Sequence, residues 1–337
     1  MISIKEIKKI IDDRDRIGLE KLARRSYDLT RRYFGNAVSI YAPLYISNYC
    51  DSGCVYCGFN AARKIKRRKL TPAQLDGEMS TIEAAGIQNI LLLTGGSRRH
   101  APPAYIRQAV EKGKKYFPAI GIEVYPMERA EYRMLYEAGV DSVTMYQETY
   151  DRKLYGELHP TGKKKDYDFR YSAPERMAES GIRTISMGVL LGLAEVAPDI
   201  HSLFCHLEWM QRSFPGVEYS VSFPRIVKVP GSGFEPLKVS DSTLLKLICL
   251  TRILFPRFGI NLSTRETAFL RDRVLEMGVT RISAASKTAV GGYSLRSDAD
   301  TQFEVKDKRS VKQIIGMLKR KNLDPVLTEW RRIDNKP

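Results

Sequence analysis

The chain has 337 residues, 43% of them apolar and 28% charged, a composition that suits a soluble globular protein and excludes collagen, coiled coil and wholesale disorder. Its longest apolar stretches, such as 90–93 and 189–193, fall far short of the ~20 residues that span a bilayer, so no membrane span is expected. Lys and Arg outnumber Asp and Glu by 55 to 39, a net charge of +16 spread over short runs at 63–69, 98–100 and 163–165, which suits an acidic partner, nucleic acid or a solvated basic face.

The first 16 residues mix acid and base with isolated isoleucines and lack the apolar region of a secretion signal, which predicts a cytoplasmic protein. Residues 4–34 read as a helical region. From there one unit recurs: a short β-branched or Leu-rich run, a polar or glycine-bearing turn, then a stretch with apolar residues three and four apart. Strands are expected at 38–46, 89–94, 121–126, 142–147, 184–191, 218–224, 259–263 and 281–285. Helices are expected at 72–85, 103–116, 129–138, 173–180, 200–213, 241–255 and 266–277. Gly86, Gly139, Gly181 and Gly278 each follow a helical stretch where a left-handed cap is needed.

Eight alternating strand and helix units predict an α/β fold, a (β/α)8 TIM-type barrel with an N-terminal helical extension (1–36), a barrel (37–305) and a C-terminal helix and tail (306–337). No linker rich in Pro, Gly or Ser divides the chain, so a single domain is expected. In such a barrel the chemistry sits where strands end and the following loops begin.

Directly after the first expected strand come Cys50, Cys54 and Cys57, spaced Cys-x3-Cys-x2-Cys. Three of five cysteines within eight residues, in a reducing compartment, point to metal or catalysis rather than disulfides. Three thiolates suit a [4Fe–4S] cluster with one iron open to a small molecule. Zinc would need a fourth ligand, for which Cys205, Cys249, His201 and His206 are available.

This spacing, with the aromatic Tyr56 beside the last cysteine, resembles the radical S-adenosylmethionine (SAM) superfamily. The segments Tyr41-Ala42-Pro43-Leu44-Tyr45-Ile46-Ser47-Asn48, Tyr146-Gln147-Glu148-Thr149-Tyr150, Tyr219-Ser220-Val221-Ser222-Phe223-Pro224-Arg225, Leu262-Ser263-Thr264-Arg265-Glu266 and Ser283-Ala284-Ala285-Ser286-Lys287-Thr288, with Gly291-Gly292-Tyr293, resemble the 2-iminoacetate synthase family, the tyrosine lyases of thiamine biosynthesis. The likeness runs from about Tyr27 to the C-terminus. It implies a [4Fe–4S] cluster that binds the amino and carboxylate groups of SAM, and reductive cleavage of SAM to methionine and a 5′-deoxyadenosyl radical. That radical takes a hydrogen from the amine of tyrosine, whose Cα–Cβ bond then breaks to give 2-iminoacetate (dehydroglycine) and p-cresol.

The resemblance also implies roles. Cys50, Cys54 and Cys57 hold the cluster. Arg170 takes the SAM carboxylate, for which a planar fork of donors is suited. Gln147 and Glu148 face the ribose hydroxyls, and Tyr56 and Phe59 wall the cluster and adenine. The family reads Thr-Gly-Glu where this chain has Thr94-Gly95-Gly96, leaving the backbone of Gly95 and Gly96 for the SAM ammonium. Arg265 is the expected clamp on the substrate carboxylate, Tyr45 lies beside cluster and substrate, and Ser283 or Ser286 donates to the substrate, strand alternation favouring one of the two. Arg225 is either a further contact or a salt bridge at the barrel mouth. An acidic reductant such as flavodoxin or ferredoxin is the implied partner, with thiazole synthase as a second and neither nucleic acid nor membrane among them.

Two relatives offer other substrates or purposes: a tyrosine lyase of [FeFe]-hydrogenase maturation, and an indolic-acid synthase acting on tryptophan. The first carries extra C-terminal cysteines, whereas none follows Cys249 here. From a different class, a zinc-dependent RNA-binding protein would share the charge and the cysteine loop but lacks a recognisable nucleic-acid motif.

Overall fold

The longest strand, β1 (Ala37–Ser47), sets the barrel's geometry. Its even-numbered side chains Val38, Ile40, Ala42, Leu44 and Ile46 are all 2% exposed or less and face the helices, while Ser39, Tyr41 and Tyr45 face the interior. This strand belongs to a computed structural model that describes residues 2–229, 232–295 and 297–328. The expected C-terminal tail from residue 329 onward lies outside the described residues.

The strands follow as β2 (Asn89–Thr94), β3 (Ala119–Glu123), β4 (Ser142–Glu148), β5 (Thr184–Val189), β6 (Glu218–Ser222), β7 (Gly259–Leu262) and β8 (Arg281–Ser283). Each pairs in parallel with the next, and β1 pairs with both β2 and β8, which closes the eight-stranded ring. Parallel neighbours need crossovers, and the helices Pro72–Ala84, Pro103–Gly113, Arg129–Ala138, Ala173–Glu179, Val196–Ser213, Asp241–Leu254 and Ala268–Val274 supply them. Between helices and strands lies the apolar core, with Ile90 and Leu92, Ile120 and Ile122, Ile185 and Met187 among its buried members. Each fully buried side chain of this size contributes roughly 1.5–3 kcal/mol.

Several boundaries differ from expectation for local reasons. β8 stops at Ser283 and Ala285 just beyond it adopts a left-handed φ of 49°, so Ser286 lies outside the strand and strand alternation does not govern it. Two short helices, Arg152–Leu158 and Tyr167–Tyr171, fill a loop with no visible period. A ninth strand, β9 (Asp324–Val326), follows the expected C-terminal helix Val311–Arg320 and pairs with Ala37, Val38 and Ser39 of β1 below the short β8. The N-terminal region forms two helices, Ile4–Asp12 and Arg16–Phe34, the second started by Asp15, whose carboxylate accepts from Ile17 and Gly18. They pack on the outer helices, and Lys246 Nζ donates to the Ile11 carbonyl at 2.9 Å. Gly139 ends the helix Arg129–Ala138 at φ 121°, as its place in the sequence implies. No helix among the described residues is long and apolar enough to cross a membrane.

Candidate active site

The C-terminal ends of β1 to β4 and the loops beyond them enclose a cavity of about 980 Å³. Cys50, Cys54 and Cys57 all line it, with Gly95, Gly96, Glu123, Glu148 and Arg170. The cysteine loop leaves β1 directly and is tied down by its backbone: Gly53 N–H donates to Thr161 O and Val55 N–H to Leu158 O, each at 3.1 Å. Gly95 is required for close approach, since a Cβ there would lie 2.3 Å from the Tyr49 carbonyl oxygen.

Arg67 departs from its reading as part of a solvated basic run. Its guanidinium is half-buried and donates to the carbonyls of Asn48 (2.6 Å), Phe59 (2.9 Å) and Asn60 (2.7 Å), clamping both ends of the cysteine loop. Lys66 pairs with Asp298, whereas Lys64 stays exposed. From the other side the segment after β8 covers the loop: Tyr45 donates its hydroxyl to Gln302 Oε1 at 2.7 Å, and Gln302 Nε2 lies 3.9 Å from Cys57 Sγ.

The donor set fits a multi-iron group. Zinc would need a fourth ligand, and none of Cys205, Cys249, His201 and His206 lines the cavity. The three thiols share the wall of one cavity, and three thiolates suit a [4Fe–4S] group with one iron open to a small molecule. Cys205, beside His201, and Cys249, whose thiol donates to Met277 O, lie on outer helices and do not line the cavity. Burial pushes the Cys54 thiol up to about 12, with Lys164 opposing. A group so buried becomes a thiolate ligand when cationic iron arrives with it.

Opposite the cysteines lies a buried charge cluster. A bulge in β4 between Tyr146 and Glu148 puts Glu148 at φ 74° and turns its carboxylate into the cavity. Lys164 Nζ donates to Glu148 Oε1 at 2.6 Å and Arg170 Nη2 at 3.1 Å, while Arg170 Nε donates to Tyr146 O at 2.7 Å. Burial alone would raise the Glu148 pKa, but Lys164 and Arg170 outweigh it and hold the carboxyl down at about 2. A permanently ionised acid between two cations keeps the Arg170 fork fixed in place.

The same bulge leaves Gln147 buried behind the cavity wall, with its Nε2 unpartnered among the described residues. Tyr56 likewise turns away and donates its hydroxyl to His159 Nε2 at 2.8 Å, a bond set by the imidazole's other nitrogen meeting Tyr155 O, while Phe59 does line the cavity. Tyr45 is buried under Gln302 with its ring edge-on to Phe59. Arg265 lies just beyond β7 with its guanidinium 3.5 Å from the Phe303 ring centroid. Ser283 Oγ accepts from Thr264 N at 3.1 Å, and Ser286 Oγ is buried with no partner among the described residues. Arg225 is held by Glu266 and Asp241 in a salt-bridge group at the barrel mouth. Sequence reasoning did not single out Glu123, Lys164 as an individual, Arg67 or Gln302. Of these, only the two basic residues sat in segments noticed at all, as members of charge runs.

A family model of the radical SAM superfamily matches residues 44–200, and one for the biotin and thiamin synthesis associated domain matches 222–324. The 2-iminoacetate synthase of Escherichia coli (strain K12) is 38% identical over 314 residues, covering 93% of this chain and 83% of that protein. The 3-methylornithine synthase of Methanosarcina barkeri (strain Fusaro / DSM 804) is 27% identical, covering 75% of this chain and 70% of its own. Among solved structures, HydG, a maturase of the [FeFe]-hydrogenase, superposes with a TM-score of 0.92 at 29% identity, over 97% of this chain and 73% of that one. Methylornithine synthase (PylB) shares the fold with a TM-score of 0.79 at 21% identity, over 97% of this chain and 94% of that one.

Proposed function

The chain belongs to the 2-iminoacetate synthase family of radical SAM enzymes, and from that membership we propose that it cleaves the Cα–Cβ bond of L-tyrosine to 2-iminoacetate and p-cresol for the thiamine thiazole. It is a radical SAM enzyme that uses a [4Fe–4S] cluster and SAM. The observation that carries the reading is the shared cavity: three thiols of the Cys-x3-Cys-x2-Cys loop face a fixed arginine fork at the C-terminal mouth of a closed barrel.

When bound, the cluster and SAM supply the one-electron cleavage that starts the reaction. What this chain adds is placement. In our reading Cys50, Cys54 and Cys57 hold the iron, and Arg67 and Gln302 keep their loop closed. Arg170, fixed through Nε and Nη2, presents its remaining nitrogen to the SAM carboxylate, while the paired Glu148 serves the ribose side. Gly95 and Gly96 let the SAM ammonium approach the backbone, and Arg265 clamps the substrate carboxylate near Tyr45, Ser283 and Ser286. Gln147 and Tyr56 support these groups from behind rather than touching SAM directly.

We further assign an acidic protein reductant, flavodoxin or ferredoxin in type, a cytoplasmic location, and thiazole synthase as consumer of the product. Nothing in the geometry favours nucleic acid. The deciding experiment is anaerobic reconstitution followed by SAM with L-tyrosine or L-tryptophan. Release of p-cresol with 5′-deoxyadenosine is expected from tyrosine, and release of an indole counterpart from tryptophan alone would overturn the substrate assignment.

A further inference from the structure

Glu123 is the last residue of β3, and the two-residue period of that strand turns it inward beside the cavity that the cysteines line. Its carboxyl has no hydrogen bond or ion pair among the described residues. Of the other carboxylates that line the cavity, Glu148 is committed to Lys164 and Arg170 and Asp166 to the start of the helix Tyr167–Tyr171, while Asp51 and Glu128 are exposed to solvent. β3 and β7 stand four strands apart in a ring of eight, and Arg265, three residues beyond the end of β7, is the charge that acts most strongly on Glu123. Arg265 is likewise without an ion pair among the described residues, and its plane is set by the Phe303 ring.

An amino acid carries this same pair of charges in reverse, an α-ammonium and an α-carboxylate on one carbon. Among the carboxylates that line the cavity, Glu123 is the one that is both shielded from solvent and without a charged partner among the described residues, so an ammonium held inside has it to meet. We propose that Glu123 and Arg265 together form the receptor for the zwitterionic backbone of the substrate, with Glu123 binding the α-ammonium and serving as the base that converts it to the amine. This rests on the reading that the substrate is an amino acid.

The step is a single proton transfer. The Glu123 carboxylate takes one proton from the substrate ammonium, leaving a neutral amine and a carboxylic acid, and no electron changes hands. The amine is the form from which a hydrogen atom can be removed to leave a nitrogen radical stabilised by the lone pair; the ammonium has no lone pair to offer. Burial pushes the Glu123 carboxyl up to about 7, with Arg265 opposing most strongly, Glu148 adding to the rise, and Arg170 and Lys164 opposing. The phenols of Tyr41 and Tyr45 on β1 and Tyr146 on β4 also face it and stay protonated, their own pKa values raised by burial. A base poised near neutrality is matched to its task.

SAM carries an α-ammonium too, and this chain has Gly96 where the family has a carboxylate, so the test separates the two amino acids. With reconstituted enzyme, dissociation constants are measured for L-tyrosine, for its desamino analogue 3-(4-hydroxyphenyl)propanoate, and for SAM, in wild type, Glu123→Gln and Glu123→Asp. Wild type is expected to prefer tyrosine over the analogue by about 10- to 100-fold, the worth of a charge-assisted hydrogen bond. Glu123→Gln should lose that preference while holding SAM as before. Its p-cresol turnover should fall by about 10²- to 10⁴-fold, the range for a lost general base, with residual activity rising only at the higher pH where the free amino acid loses its own ammonium proton. Glu123→Asp should recover part of both.

An unchanged preference for tyrosine over its analogue, an unchanged pH profile, or weakened SAM in place of weakened tyrosine would each overturn the assignment. Failure of the functional reading looks different: wild type would then turn over tryptophan instead, and the same ratio taken with tryptophan and indole-3-propanoate decides the role of Glu123.

Discussion

Two adjacent glycines at the end of β2 carry different constraints. A methyl group at Gly95 would meet the backbone of Tyr49 at 2.3 Å and of Asn48 at 3.2 Å, neither of which is the end of a flexible side chain, whereas one at Gly96 would meet Cys50 Sγ at 3.4 Å. Gly95→Ala must therefore push the cysteine loop away from β2, at a cost of roughly 1–3 kcal/mol. It is expected to lose most of its iron after reconstitution, while Gly96→Ala keeps its full complement; iron and sulfide analysis reads both. Glu148 offers a pH test. Its folded pKa of about 2 lies below its ordinary value near 4.5, so its contribution to stability is present above that ordinary value and is lost as pH falls toward 2. Glu148→Gln leaves Lys164 and Arg170 buried without their partner and should cost ~3–5 kcal/mol at pH 7 by urea unfolding. The difference from wild type should shrink through the window from about 4.5 to 2, and a constant gap would show that the ion pairs contribute little.

At the scale of elements, the segment after β8 is held by charge rather than by regular structure. Arg271 and Asp307, both 1% exposed, pair with one another, and Arg309 joins Asp307 to Asp272. Asp307→Asn is expected to lower stability by ~3–5 kcal/mol in urea titration, because it strands a buried guanidinium. It should also loosen the Gln302 contact, seen as faster loss of iron to a chelator. Such ties explain what the sequence could and could not say. The strand Asn89–Thr94 was legible to the residue because an apolar run lies between turn residues, and the cysteines were legible because their spacing alone implies one centre. Glu123 carries no motif, being a lone acid at a strand end, and its meaning comes from the ring that sets β3 opposite β7, beyond which Arg265 lies. Lys164 hid among three consecutive lysines, of which the other two are solvated. Arg67 and Gln302 reach the cysteine loop from segments that no local period connects to it, and β9 is too short, with a proline at its centre, to read as a strand.

For the whole molecule, the charge of +16 has a local expression at the working end of the barrel, where the exposed Lys163 and Lys165 line the cavity and the exposed Lys64 follows the cysteine loop. Opposite charge on a protein reductant would speed encounter there and lose its effect as salt shortens the Debye length from about 10 Å at 0.1 M. Changing these three lysines to Gln should slow flavodoxin-driven turnover several-fold at low ionic strength and leave dithionite-driven turnover unchanged. Arg67 is excluded from that set because it holds the loop itself. Equal slowing with both reductants would show that these lysines act on the chemistry inside the cavity and not on the encounter with the reductant.

Gln302 and Cys57 are separated by 245 residues along the chain. At synthesis rates of ~5–20 residues per second, the cysteine loop leaves the ribosome roughly 12–50 s before the segment that will cover it. During that interval β1 has neither β8 nor β9 to pair with, and the three thiols face the cell's machinery without a roof. Until then Cys57 lacks the Gln302 side chain that lies 3.9 Å from its Sγ, and the last eighth of the chain completes that wall of the cavity. The cysteine loop therefore gains its full set of neighbours only when the C-terminal segment, tied down by the Arg271–Asp307 pair, has folded onto it.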